Sequence, residues 1–185
     1  MTALILAGGK ATRLGGIAKH AIVIEGSSIL ARQRAVLEPR VGALLVSSRQ
    51  AIEGVTTVVD TIIDGGPLAG VAAGLAAAGT PWLLVVAGDM PHLAPAVVEL
   101  LLARTRAEVD AVGIQIAGLP EPLLCVLRVA AVRPVLEARL AAGRFKASGL
   151  LADPALRVVW LDEAELRAVD PTLKGLFNVN EPRDL

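Results

Sequence analysis

Tyrosine is absent, and the aromatic residues amount to two Trp and two Phe, so the 54% of the chain that is apolar must pack as an aliphatic core of Ala, Val and Leu. Net charge is absent too. Eighteen basic residues balance eighteen acidic ones, which removes any global attraction to nucleic acid or to an anionic membrane and leaves only local anion sites. A single cysteine, Cys125, excludes an intramolecular disulfide and a multi-cysteine metal cluster, and favours a reducing compartment. It lies in the apolar run LLCVL with no histidine nearby, as a buried small hydrophobe would. His20 and His92 have no HExxH or HxxxH partner, which argues against zinc, and the lack of a GxSxG elbow argues against a serine hydrolase. The start, MTALILAGG, lacks the basic region and apolar length of a signal peptide. The Ala-rich stretch Val71 to Ala78 is interrupted by Gly74 and is too short to span a membrane. The expectation is a soluble cytoplasmic protein that binds neither nucleic acid nor membrane.

What is present alternates. Apolar runs at Ala3 to Ala7, Gly42 to Val46, Val55 to Val59 and Trp82 to Ala87 read as buried strands. Between them lie a helix from the caps Ser27 or Ser28 to the stop at Pro39, and an Ala-rich helix over about Leu68 to Ala78. A helix over about Ala94 to Arg106, extended segments at Val109 to Ile116 and EPLLCVL, a helix over Ala130 to Ala141 and a strand at Arg157 to Leu161 complete the pattern. Such alternation predicts an α/β fold with a doubly wound, mostly parallel sheet. The length of 185 residues suits a single domain, 1–185, with the region after Ile116 as an extension that walls off a second pocket. In such sheets ligands bind beyond the carboxyl ends of the strands. The residues expected to meet there are the Gly-rich loop after the first strand, Ser47-Ser48-Arg49, Asp60 and Gly88-Asp89.

The first loop, Leu4 to Lys19, reads LILAGGKATRLGGIAK. Glycines let a backbone approach a ligand with its N–H groups turned inward, and Lys10, Arg13 and Lys19 offset polyphosphate charge, Arg13 and Lys19 with the better placement. It is neither a Walker loop nor the GxGxxG dinucleotide turn. A Gly-rich turn with a solvated basic edge accounts for the glycines equally well. Asp89 follows the most apolar strand and precedes Met-Pro. A carboxylate there suits magnesium facing substrate phosphates, while a turn or helix-capping aspartate is the alternative. Asp60 reads as a strand terminator or a site residue, and Asp64 in DGGP reads as a turn.

LAGGKATRLGGIAK resembles the LAGGxxxRMGxxK signature of nucleotide-sugar-type nucleotidyltransferases. GGPLAG, EPLLCVL, AGDMP and NVNEPRDL are similar to segments of the molybdenum cofactor guanylyltransferases, and the resemblance spans Leu4 to Leu185. It implies a three-layer αβα, Rossmann-like nucleotidyltransferase fold and transfer of GMP from GTP to molybdenum-bound molybdopterin, with pyrophosphate released and Mg2+ as cofactor, and raises molybdoenzyme maturation proteins as partners. Leu6, Ala7, Gly8 and Gly9 would hold the guanine nucleotide, Asp60 the nucleotide region, Arg13 and Lys19 the phosphates, and Asp89 the magnesium. Asn178 and Asn180 would face the acceptor, so the N-terminal part would bind nucleotide and the C-terminal part acceptor. By themselves the two asparagines read as a turn. The pattern is departed from at three points. Ala18 stands where the family has Asp before the loop lysine, Leu14 replaces Met, and SSRQ replaces an asparagine-bearing segment, where Ser47 or Ser48 would touch ribose or base. The alternatives are a nucleotidyltransferase using CTP or another acceptor, and a non-catalytic nucleotide- or pterin-binding protein.

Overall fold

The first strand, β1 (Thr2–Leu6), is buried along its whole length because it has strands on both sides and helices on both faces. Ala3 and Ile5 point into one apolar layer and Leu4 and Leu6 into the other, as the two-residue period of a strand requires. β6 (Trp82–Ala87) repeats the division, with Leu84 and Val86 on the first face and Leu83 and Val85 on the second. These runs have no polar face to offer water, so they can only occupy the middle of a sandwich.

The computed structural model describes residues 1–8, 19–60, 62, 65–179 and 184. After β1 come a short hairpin, β2 (Val23–Ile24) and β3 (Ser27–Ser28), then α1 (Ile29–Leu37), β4 (Ala43–Ser47), β5 (Thr56–Val58) and α2 (Gly66–Ala77). Beyond β6 lie α3 (Pro95–Ala103), β7 (Ala111–Ile116), β8 (Leu119–Arg128), α4 (Val129–Ala141), α5 (Ser148–Leu151), β9 (Val158–Leu161) and α6 (Glu163–Val169). Seven strands form one sheet in the order β5-β4-β1-β6-β8-β7-β9. Only β8 runs antiparallel to its neighbours. The chain first steps outward from β1 through β4 to β5, then returns by α2 to β6 on β1's other side. The carboxyl end of β1 is therefore the point where the winding reverses, and a crevice opens there.

The expected three-layer α/β architecture is present, with two differences. The segment EPLLCVL is not an added wall: β8 pairs with both β6 and β7 and lies inside the sheet. Its route depends on the turn Ala117-Gly118, where both residues have positive φ (49° and 75°), the geometry that reverses a strand in two residues. Strand periodicity identifies the segment and says nothing about its neighbours. The second difference is α6, which the apolar pattern misses because it is short and buries only Leu166. Asp162 and Glu165 form a reciprocal capping box that starts it.

The glycines of α2 let that helix lie close on the sheet. A Cβ at Gly74 would sit 2.4 Å from Leu4 Cδ2, and one at Gly70 would sit 2.6 Å from Ser47 Oγ. At α1, Ser28 is the actual cap, its Oγ accepting the Ala31 N–H at 3.1 Å.

Two side chains in this frame give measurable consequences. Asp110 accepts bonds from Arg157 Nε at 2.8 Å, Nη2 at 2.9 Å and the Arg157 main-chain N–H at 3.0 Å, joining the starts of β7 and β9. These bonds lower its pKa from 3.8 to about 2. Because the folded value is depressed, the pair stabilises the fold above the unfolded value and ceases to do so as pH falls through about 2. Asp110→Asn should therefore lower Tm by a few degrees at pH 7, and the gap from the parent should close as melting is repeated toward pH 2. Cys125 is buried against the second apolar layer, and burial pushes its thiol up to about 12. A thiol-reactive dye should leave the native protein unlabelled and modify Cys125 only after denaturant is added, as absorbance would show.

Candidate active site

The carboxyl ends of β1, β4, β5 and β6 come to one edge of the sheet, and backbone hydrogen bonds continue past their ends. Ala7 donates its N–H to the Ser47 carbonyl at 2.9 Å, Ser48 to Val58 at 3.1 Å, and Gly88 to Leu6 at 3.1 Å. Around this edge lies a cavity of about 1210 Å³. Leu6, Ala7 and Gly8, the segment Ser47 to Ile52, Asp60 and the start of α2 line it. Among the described residues nothing lies within 4 Å of a Cβ built on Gly8, which leaves its backbone open to close approach. The α2 N-terminus at Gly65-Gly66-Pro67 carries no capping side chain, leaving the positive end of the helix dipole at the cavity wall.

Lys19 and Asp89, separated by seventy positions in sequence, meet at this edge: Lys19 Nζ donates to Asp89 Oδ2 at 2.8 Å. Their side chains are 23% and 21% exposed, so both retain access to solvent or ligand. The pair exists because of Gly88. A Cβ on that residue would sit 2.5 Å from the Leu6 carbonyl oxygen, so only glycine lets the end of β6 close on β1 and turn Asp89 outward. The Asp89 carbonyl in turn accepts the Val179 N–H at 2.9 Å, which brings Asn178 beside the same turn. Next to Lys19, His20 lines the cavity, with Nδ1 3.4 Å from the Ala7 carbonyl.

The structure thus gathers Leu6, Ala7, Gly8 and Asp60 around one cavity, joins Lys19, the neighbour of the lining residue His20, to Asp89, and ties the segment that carries Asn178 to the Asp89 turn through Val179. Gly9, Arg13, Asp64 and Asn180 lie outside the described residues, as does Ala18. Whatever Ala18 withholds, Lys19 has its carboxylate partner in space rather than in its own loop.

Two residues of this region escape a sequence reading. Leu123 lines the cavity from β8. Glu121 precedes it on the same strand, where it pairs with Ile114 of β7 beyond a break in the β7–β8 register, so it does not share the face that Leu123 turns to the cavity. Burial raises the Glu121 carboxyl above its usual range, a backbone bond with Leu123 opposes that rise, and the charge of Asp89 adds to it. The dipeptide Glu121-Pro122 carries no signal of this placement, because it follows from the antiparallel insertion of β8.

Among the described residues, no three His, Cys, Asp or Glu side chains gather as a metal cage. A soft or structural metal is therefore poorly served. A hard cation needing one carboxylate plus ligand oxygens fits Asp89. No helix of the described residues is long and apolar enough to cross a membrane.

The model of the MobA-like NTP transferase domain matches residues 3–157. A molybdenum cofactor guanylyltransferase from Cupriavidus taiwanensis is 31% identical over 188 residues, covering 95% of this chain and 94% of that protein. A probable molybdenum cofactor guanylyltransferase from Pelotomaculum thermopropionicum is 32% identical, covering all of this chain and 89% of its own length. The crystal structure of molybdopterin-guanine dinucleotide biosynthesis protein A from Archaeoglobus fulgidus superposes with a TM-score of 0.82 at 26% identity, over 100% of this chain and 94% of that one. With the crevice at the β1 reversal and relatives matched over nearly their full lengths, the chain belongs to the MobA-like NTP transferase family.

Proposed function

We propose that this protein is a guanylyltransferase that transfers GMP from GTP to molybdenum-bound molybdopterin, releasing pyrophosphate and forming the guanine dinucleotide of the cofactor. The observation that carries the chemistry is the Lys19–Asp89 contact at the edge of the β1–β6 crevice. The relatives named as molybdenum cofactor guanylyltransferases support the choice of nucleotide and acceptor.

In this reading the nucleotide lies in the cavity with its base and ribose against Leu6 to Gly9, Ser47 or Ser48 and Asp60, and its phosphates toward Lys19 and Arg13. The α2 N-terminus adds partial positive charge on the same side. Asn178 and Asn180 hold the acceptor from the C-terminal part of the chain. Mg2+ bound by Asp89 and phosphate oxygens would supply charge neutralisation at the α- and β-phosphates. An oxygen of the acceptor's terminal phosphate attacks the α-phosphorus of GTP. The bond from that phosphorus to the oxygen bridging toward the β-phosphorus breaks, and pyrophosphate leaves with the electron pair. A phosphate monoester is already largely ionised near neutral pH, so no strong base is needed and the protein contributes alignment and electrostatics. Lys19 exchanges Asp89 for the negative charge that develops on the phosphates, which its partly exposed position allows.

Magnitudes separate catalysis from stability here. A partly exposed ion pair stabilises a fold by about 0–1 kcal/mol, whereas a preorganised charge at a reacting phosphate supplies about 3–4 kcal/mol. Asp89→Asn should therefore cut turnover by at least about a hundredfold with a nearly unchanged melting curve. Near-normal pyrophosphate release would remove Asp89 from the reaction. Lys19→Ala should raise the half-saturating GTP concentration about tenfold or more, again without unfolding, and unchanged kinetics would take Lys19 out of the phosphate site.

Base choice has its own measurement. Titrated with GTP, CTP, ATP and UTP in the presence of Mg2+, the protein should bind GTP tightest, and only GTP with molybdenum-loaded molybdopterin should release pyrophosphate. Preference for CTP would make it a cytidylyltransferase, and nucleotide binding without release would make it an accessory protein.

A further inference from the structure

The Asp89 turn has a second support, which lies beneath it and touches no substrate. Gln33, in the middle of α1, is completely buried. Its Nε2 donates to the Ala87 carbonyl at 2.7 Å and to the Met90 carbonyl at 3.1 Å, so a single amide bridges the backbone on both sides of Gly88-Asp89. The orientation of the amide is dictated by these contacts. Rotated by half a turn, it would set its oxygen against two carbonyl oxygens. In the orientation present, Nε2 meets both carbonyls and Oε1 is buried with no hydrogen-bond partner among the described residues.

An apolar residue would fill this core position but would take this donor away from the Ala87 and Met90 carbonyls, so the glutamine is held by the backbone of the turn rather than by packing alone. The geometry points to Gln33 as the positioning residue for Asp89: it fixes the turn from below, as Gly88 does by its bond to Leu6 from the side, and thereby sets where the carboxylate stands.

The placement of α1 extends this role. The helix begins where the Lys19 segment ends, with Ile29 donating its N–H to the Ile22 carbonyl at 2.9 Å. Ile22 and Ile29 pack with Val179, whose own N–H binds the Asp89 carbonyl. One helix thus underlies the Lys19 turn, the Asp89 turn and the segment carrying Asn178. Gln33 is its polar contact with the Asp89 turn, and the two apolar residues and Val179 tie the others to it. A buried amide suits this purpose because two short bonds in a dry setting resist displacement more than packing alone does.

The inference rests on the reading of Asp89 as the carboxylate that holds the divalent ion, and the experiment separates the two. Mn2+ is titrated into the protein with GTP and no acceptor, and free Mn2+ is followed by its electron paramagnetic resonance signal, for the parent, Asp89→Asn and Gln33→Met. Methionine keeps the length and flexibility of the side chain while removing both donors. Asp89→Asn should abolish most protein-dependent Mn2+ binding. Gln33→Met should weaken it about tenfold, as displacement of a supporting group does at metal sites, with the number of sites per folded molecule unchanged. A purely structural Gln33 would lower Tm and the folded fraction, and so the amount of Mn2+ bound, but not its affinity. Affinity within twofold of the parent in Gln33→Met, with Asp89→Asn deficient, would overturn the positioning role and leave the metal assignment standing. Unchanged binding in Asp89→Asn would overturn both. Should Gln33→Met fail to fold, Gln33→Asn, which keeps an amide too short to span both carbonyls, is judged by the same affinity criterion.

Discussion

Between the ends of β1 and β6 there is no room for a side chain. Gly88 donates its N–H to the Leu6 carbonyl at 3.1 Å, and a Cβ on it would stand 2.5 Å from that same oxygen. The distance between the two strands continues past the last paired residues only because this one position is bare. As a result Asp89 emerges beside the loop from β1 and reaches Lys19, while its carbonyl holds Val179. Cavity lining, ion pair and C-terminal segment all take their positions from that one approach.

Stability and chemistry are carried by different parts of the molecule. The two apolar layers, with Leu4, Ile5, Leu83, Leu84 and their neighbours fully buried, provide roughly 1.5–3 kcal/mol for each large side chain. Lys19 and Asp89 at the sheet edge are partly exposed and add little to this. They can exchange one partner for another as ligands arrive without endangering the fold, which is what a phosphate site requires. The exception is the buried amide of Gln33, which lies in the core and leaves an acceptor unsatisfied among the described residues while holding the turn above it.

Much of the architecture was legible because it rests on local pattern. The unbroken apolar runs announced buried strands, the Ser27-Ser28 pair and Pro39 bracketed α1, and the alternation of strands with helices pointed to the layered sheet. α6 was missed because its signal is a capping box rather than an apolar stripe. The hairpin at Ala117-Gly118 was missed because nothing in a strand's own residues says which neighbours it will have. That gap reached the site as well. Leu123 comes to the cavity, and Glu121 into reach of the Asp89 charge, only through the insertion of β8 between β6 and β7, and nothing in the spacing around Gln33 sets it apart from the other residues of α1.

The sequence by itself determined the layered α/β class, the glycine-rich loop after β1, the carboxylate after β6 and the family to which these motifs belong, because each depends on residue type and spacing within a short segment. Only the tertiary structure decided that Lys19 pairs with Asp89, that β8 faces the crevice, and that a buried glutamine braces the Asp89 turn. The Lys19–Asp89 and Gln33 contacts join residues more than fifty positions apart, and their geometry is fixed by strand order and close packing, which no local pattern encodes.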